Sequence, residues 1–263
     1  MSSPADAMPA AIPPPPESSF HPAHRHQSVL EAFQSLLTLI VIALFIITFT
    51  FQPFRIPSES MVPTLLVGDF LLVNKQISHD SPLIAPTWQI HRGDLIVFHY
   101  PVQPSMHLVK RVIGLPGERI RLRGGHAYVD GAPLNEPYAL FEPAGVDLYR
   151  DDFPRMDSAD PNIDSRWWVQ LRSIMSNGEI TVPPDHFFVL GDNRNDSADS
   201  RYWGFVPRSA IVGKPFLIYF SVRTPEARPS DSRLQPDAVA ASRSGLNTHL
   251  GFARWDRAMH VIH

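Results

Sequence analysis

Short apolar runs broken by Gly, Pro, Asp and Asn recur along the chain from residue 68 onward. The stretches "GDFLLVNK" (68–75), "GDLIVFHY" (93–100), "HLVKRVIG" (107–114), "ERIRLR" (118–123), "HAYVDG" (126–131), "HFFVLGD" (186–192) and "KPFLIYF" (214–220) are rich in β-branched or aromatic residues. Each is bounded by turn formers, and the pattern predicts strands. In "RLRGGHAYV", Gly124-Gly125 can supply the positive φ angles of a tight turn, so this segment predicts a hairpin. The 27 prolines argue the same way, because long helices do not tolerate them. Between residues 133 and 184 the periodicity fades, and "FEPAGVDLYRDDFPRMDSADPNIDS" predicts an irregular insertion between core strands. A second polar stretch, about 224–245, predicts a surface loop.

One region has a different pattern. Residues 32–54 carry no charge over 23 positions, centred on "LLTLIVIALFIITFTF". At about 1.5 Å per residue a helix of that length covers the roughly 30 Å hydrocarbon core of a bilayer. A buried core helix would show a polar stripe. A cleaved targeting peptide would start with a basic cluster and end in small residues, whereas here Arg25 stands alone at the start and the run ends in "FQPFR". The run therefore predicts an uncleaved membrane anchor. Arg25 lies on one side of it, with Arg55 and Lys75 on the other, so the bias of basic residues does not set its orientation. Ahead of it, "AIPPPPESSFHPAHRHQ" combines a polyproline run with small polar residues and predicts a disordered tail over 1–31. Its histidines, His21, His24 and His26, read as solvated rather than as metal ligands. The expected organisation is thus a tail (1–31), a transmembrane helix (32–54) and a mainly β ectodomain (55–263) built on an antiparallel sheet with an irregular insertion.

Composition narrows the function. A formal net charge of −3 without a long basic run gives no footprint for nucleic acid. The absence of cysteine excludes disulfides, thiolate metal sites and a catalytic thiol. The acid-rich loop "GDNRNDSADS" does not fit a calcium site, because Arg194 and Trp203 stand where that template needs an Asp or Asn and a Glu. No histidine-rich zinc motif is present either, so neither metal nor cofactor is expected.

The candidate chemistry lies in "IPSESMVPTLLVGD" (56–69), where Ser58 and Ser60 stand one residue apart between Pro57 and Pro63. A serine needs a base within hydrogen-bond reach before it becomes a nucleophile. His99 and His107 are possible bases, and a desolvated lysine is another. In "HLVKRVIG", strand alternation puts Lys110 on one face and Arg111 on the other, so one basic residue turns inward whichever face is buried. An inward Arg111 must be paired, whereas an inward Lys110 becomes a neutral amine and a general base.

Four stretches taken in order, "FRIPSESMVPTLLVGDFLLVNK", "RGDLIVFHYP", "HLVKRVIGLPGERI" and "GDNRNDSADSRYWGFVP", resemble the conserved boxes of the type I signal peptidases. The resemblance runs from the apolar helix to about Ser221 and resumes in "ARWDRAMHVIH". It implies a membrane-anchored serine endopeptidase with a Ser/Lys dyad, which cuts targeting peptides from exported proteins on the outer side of the bacterial inner membrane. Position by position, Ser60 is similar to the nucleophile and Lys110 to the general base. Ser58 is similar to the hydroxyl that joins the Ser60 N–H in the oxyanion hole. Ser197 resembles the serine that orients the lysine amine, and Asp199 and Arg201 a supporting ion pair. Phe54, Ile56, Pro57, Met61, Leu65, Leu71, Val97, Leu108 and Val109 match positions that line shallow apolar pockets, which implies an Ala-x-Ala preference. The implied partners are signal peptides and membrane lipid. Glu59 departs from the glycine common at its position, and "RNDSADS" transposes the commoner "RDNSADS". The competing expectations are a non-catalytic anchored scaffold, disfavoured because Ser58, Ser60, Lys110 and Ser197 occur together, and a self-cleaving repressor, disfavoured by the apolar run and the lack of a DNA-binding segment.

Overall fold

The computed structural model describes residues 25–75, 89–141, 145, 147–157, 160–223 and 252–262. Of the expected tail, residues 1–24, with His21 and His24, lie outside the described residues, as does the expected loop at 224–245; residues 25–31, with His26, are helical rather than disordered. The chain divides into two compact units, Met1–Phe45 and Ile46–His263.

Helix α1 spans Arg25–Thr50. It does not continue to residue 54 as the apolar run predicts. Pro53 has no N–H to give to a helix and forces extended backbone before it, so the chain turns into strand β1 (Phe51–Arg55). Phe54 then pairs with Leu71 of strand β2 (Asp69–Asn74). Every described side chain in 29–45 is exposed. Among the described residues no helix is long and apolar enough to cross a membrane.

The rest of the described chain is mainly antiparallel β, as the strand pattern predicts. An eight-stranded sheet runs in the order β1, β2, β12 (Ile211–Ser221), β3 (Leu95–His99), β4 (His107–Gly114), β10 (His186–Leu190) and β11 (Val206–Pro207), with β13 (His260–Val261) paired to β12. A second sheet of five strands contains β5 (Arg119–Arg123), β6 (His126–Val129), β7 (Ala132–Pro133), β8 (Met175–Ser176) and β9 (Glu179–Thr181). The β5–β6 hairpin turns at Gly124 and Gly125, with φ of 54° and 81°.

The stretch expected to be irregular is more ordered than its periodicity implied. It holds a short helix α2 (Leu148–Asp151), helix α3 (Ser165–Ile174) and the β8–β9 hairpin. Helix α3 starts where the Asp164 side chain accepts from the N–H groups of Arg166 and Trp167, and it buries Trp167 and Leu171, one turn apart. Trp167, Leu171 and Tyr149 join Ile113, Phe188 and Leu190 in one core cluster. A second cluster, containing Ile96, Val112 and Val189, packs beside the first, so β4 and β10 contribute side chains to both. Ordinary half-buried alternation is therefore lost along β4. Lys110 and Arg111, expected on opposite faces with one of them inward, are both buried, 3% and 5% exposed.

Candidate active site

Residues 56–69 form a loop closed at its base. The Ile56 N–H donates to the Asp69 carbonyl and the Gly68 N–H to the Ile56 carbonyl, both at 2.9 Å. Ile56, Met61 and Leu65 are buried against Leu71, Leu95 and Ile218, which anchors the loop by its apolar side chains. The hydroxyl residues and Glu59 stay at the surface; Glu59 is exposed, so its departure from the common glycine does not disturb the interior. Buried Asp69 holds the loop from below. It accepts from Ser221 Oγ at 2.6 Å and from Arg257 Nη2 at 2.6 Å, and Arg257 also donates to the Thr64 carbonyl at 2.9 Å.

The loop presents Ser60 to Lys110. The Lys110 Nζ donates to Ser60 Oγ at 2.5 Å. Burial pushes the Lys110 ammonium down from 10.5 to about 8, since desolvation disfavours the charged form. Arg201 adds to this effect, while Asp199, Asp192 and Asp196 oppose it. None of those carboxylates is a direct hydrogen-bond partner of the amine among the described residues. Once the amine loses its proton the same contact reverses, and the serine hydroxyl becomes the donor. The Ser58 Oγ lies 3.4 Å from Ser60 Oγ. His99 and His107, the other possible bases, pack against each other instead, with ring centroids 4.4 Å apart and planes tilted by 44°.

Asp199 and Arg201 form the expected ion pair. Arg201 Nε donates to Oδ1 at 2.8 Å and Nη2 to Oδ2 at 2.7 Å, and both residues are fully buried. Burial alone would raise the Asp199 carboxyl, but the Arg201 charge and hydrogen bonds outweigh it and hold the carboxyl below its usual value. The supposed insertion supports this pair, because Tyr149 Oη and Trp167 Nε1 both donate to the Arg201 carbonyl, at 2.6 and 2.9 Å. Ser197 does not make its expected bond. Its Oγ is buried and makes no hydrogen bond among the described residues, so the bond to the lysine amine is not formed. A Cβ on Gly191 would stand 2.2 Å from that Oγ and 2.5 Å from the Ser60 carbonyl oxygen. Only glycine fits there, and its absent side chain lets Ser197 and the Ser60 backbone approach each other.

Arg111, expected to need a partner if it turned inward, and Asp192 and Thr64, to which the sequence reading gave no role, tie the boxes together. Arg111 donates from Nε and Nη2 to the two Asp192 oxygens at 2.7 and 2.6 Å, and from Nη1 to the Gly93 carbonyl at 2.6 Å. Thr64 Oγ1 donates to the same Asp192 at 2.5 Å, linking the Ser60 loop to that pair. The sequence signal was the Arg next to Lys110, which an inward-facing strand obliged to find a carboxylate.

Beside Ser60 and Lys110 lies a small cavity of about 60 Å³. Phe54, Ile56, Pro57 and Met61 line it from β1 and the loop, and Val97, Leu108 and Val109 from β3 and β4. Leu65 and Leu71 do not reach it; both are fully buried in the cluster beneath the loop. Arg55 and His107 do line it. A larger depression of about 440 Å³, between Arg123 and Asp157, contains none of the expected site residues.

The signal peptidase, peptidase S26 family matches residues 29–220. The chain is 35% identical over 217 residues to a signal peptidase I of Pseudomonas aeruginosa, covering 75% of each chain. It is 36% identical over 230 residues to a signal peptidase I of Leptolyngbya laminosa, covering 84% of this chain and 94% of the relative. A crystal structure of a signal peptidase I from Enterococcus faecalis V583 aligns at 32% identity with a TM-score of 0.35, covering 48% of this chain and 97% of that one. With its match spanning most of the sequence, the chain belongs to the signal peptidase family, peptidase S26, and is a serine endopeptidase.

Proposed function

We propose that the chain removes N-terminal signal peptides from exported proteins, with Ser60 as nucleophile and neutral Lys110 as general base. The observation that carries this reading is the buried Lys110 amine 2.5 Å from the Ser60 hydroxyl oxygen, with its proton affinity lowered by burial. Ser60 Oγ attacks the scissile carbonyl while its proton passes to Lys110 Nζ. The Ser60 N–H and the Ser58 hydroxyl stabilise the oxyanion. Lys110 then returns the proton to the leaving amine, and an acyl-enzyme on Ser60 remains. A water molecule, deprotonated by the same amine, attacks that ester; the Ser60 oxygen leaves, taking the proton back from Lys110, and the signal peptide is released with a free carboxylate. Ser197, buried and without a hydrogen bond beside the Ser60 backbone, is the hydroxyl available to steady the neutral amine. The Asp199–Arg201 pair holds that loop in place.

The apolar walls of the small cavity support a preference for small side chains, hence an Ala-x-Ala site, since extra bulk in a packed pocket costs roughly 1–3 kcal/mol. The uncharged run from residue 32 supports a single membrane anchor, because a helix apolar all round finds a favourable environment in lipid or a large core. In this reading the tail precedes the anchor, and the domain from residue 55 faces the outer side of the bacterial inner membrane, where signal peptides emerge. The test is incubation of the detergent-purified chain with a preprotein carrying an intact signal peptide. Loss of the signal peptide after Ala-x-Ala by the wild type, with none by Ser60→Ala, is the expected result. An intact preprotein in both would overturn the assignment.

A further inference from the structure

The β3–β4 ladder ends in two histidines facing each other. His99 pairs directly with His107, as Val97 pairs with Val109 two rungs earlier on the same face. The rungs are well fixed, since the Tyr100 N–H donates to the Met106 carbonyl at 2.9 Å and closes the turn. The His99 Nδ1 lies 2.9 Å from the Pro104 carbonyl, and because a carbonyl only accepts, that nitrogen carries a proton. His107 is exposed, packs at a tilt against His99 at 4.4 Å and against Phe54 at 5.3 Å between ring centroids, and lines the cavity that contains Ser60 and Lys110.

The charged and titratable groups around His107 are few. On β3 there is His99, on β1 Arg55, and on its own strand Lys110. The turn 101–106, "PVQPSM", has none. Lys110 is buried against Ser60, and Arg55 is a guanidinium. The other lining groups are apolar or hydroxyl, so His107 is the accessible group of the cleft whose charge changes in the physiological range.

We propose that His107, backed by His99, reads charge on the substrate: as pH falls it becomes a cation at the rim of the cleft and favours peptides with an Asp or Glu side chain in the part of the cleft it lines. The inference rests on the peptidase reading above. Partial burial, and then the like charge of His99, lower the His107 imidazole below its ordinary 6.5. The ring therefore stays neutral at neutral pH and gains its charge only in mildly acidic surroundings. His99 sets how acidic those surroundings must be.

The test is competition between two peptides cleaved in one tube by the full chain in detergent. They differ only by Glu or Gln at one residue before the cut, and each such residue is taken in turn. Both substrates meet the same enzyme, so protonation of Lys110 slows both and cancels from the ratio of their kcat/KM values. At one position the Glu/Gln ratio should rise about fivefold between about pH 8 and about pH 5.5. His107→Gln should make the ratio flat. His99→Gln should move the rise to higher pH, because the repelling neighbour is gone. A flat ratio in the wild type at every position, with both peptides cleaved, would overturn the inference and leave the peptidase reading standing. A rise that persists in His107→Gln would overturn it as well. Cleavage of neither peptide at any pH would remove the peptidase reading and this inference with it.

Discussion

Lys110 and Arg111 are neighbours on one strand, buried to the same degree, yet their surroundings differ in kind. Arg111 is clamped by both oxygens of Asp192, the Gly93 carbonyl and the face of Tyr138, whose ring centroid is 4.0 Å from the guanidinium carbon. Lys110 has a serine hydroxyl and, among the described residues, no directly bonded carboxylate. A buried cation bonded to a carboxylate serves as structure; a buried ammonium with a single neutral partner gives up its proton more readily. The contrast lies in the side chain and its partners together: guanidinium cannot shed its proton and is held by a carboxylate, whereas burial without a bonded carboxylate lowers the proton affinity of the ammonium, as the proposed base requires. For Lys110 the lowering from 10.5 to about 8 corresponds to a penalty of about 3 kcal/mol on the fold at neutral pH. The folded pKa is the lower one, so the folded chain binds fewer protons than the unfolded chain between those values. Stability therefore rises with pH across that window.

The sharpest way to break the comparison is to exchange each residue for an apolar one. Lys110→Met should lose roughly 10⁴-fold or more in kcat/KM, yet at neutral pH it should gain up to about 3 kcal/mol in a denaturant unfolding series, because the penalty is removed. Lys110→Arg should be as inactive, since guanidinium stays protonated. Arg111→Met should move stability the other way, by roughly 3–5 kcal/mol, because it leaves Asp192 buried and unpaired. If both methionine variants shifted stability in the same direction, the contrast between clamp and base would be lost.

Ser58→Ala should reduce kcat by about 10² to 10³, through one missing oxyanion donor, with little change in KM. Ser58→Thr should recover part of that loss. Wild-type rates in Ser58→Ala would remove Ser58 from the oxyanion hole. The smallest effect is expected from Asp196→Asn. Asp196 is exposed and is one of the groups that hold the Lys110 proton, so its neutralisation should shift the acidic limb of the kcat/KM profile slightly to lower pH and leave the plateau unchanged. A shift to higher pH would contradict the electrostatics assigned here.

Strands and turns were legible because their signals are local. Gly124-Gly125 between two alternating runs marks a hairpin whatever surrounds it. The Asn177-Gly178 turn of the β8–β9 hairpin carried a similar signal, with φ of 53° and 72°, but its strands are only two and three residues long and show no alternation to accompany it. Helix α3 was hidden for another reason: of its ten residues only Trp167 and Leu171 are buried, too few to stand out from the polar stretch before them. At the site, Ser60 and Lys110 were legible through a resemblance of ordered motifs, not through periodicity. What remained illegible depends on distant parts of the chain. The burial of both faces of β4 requires two separate clusters, and the Arg111–Asp192 pair joins residues 81 positions apart. The position of Ser197 is set by close approach at Gly191, which no local pattern records.

The claim that burial makes Lys110 the base is tested most directly by the pH dependence of kcat/KM for the wild-type chain on a preprotein. The account predicts a single ionisation near 8, with activity falling about tenfold per unit below it and level above it. A limb at the histidine value of about 6.5, or one that keeps rising toward the ordinary lysine value of 10.5, would contradict it.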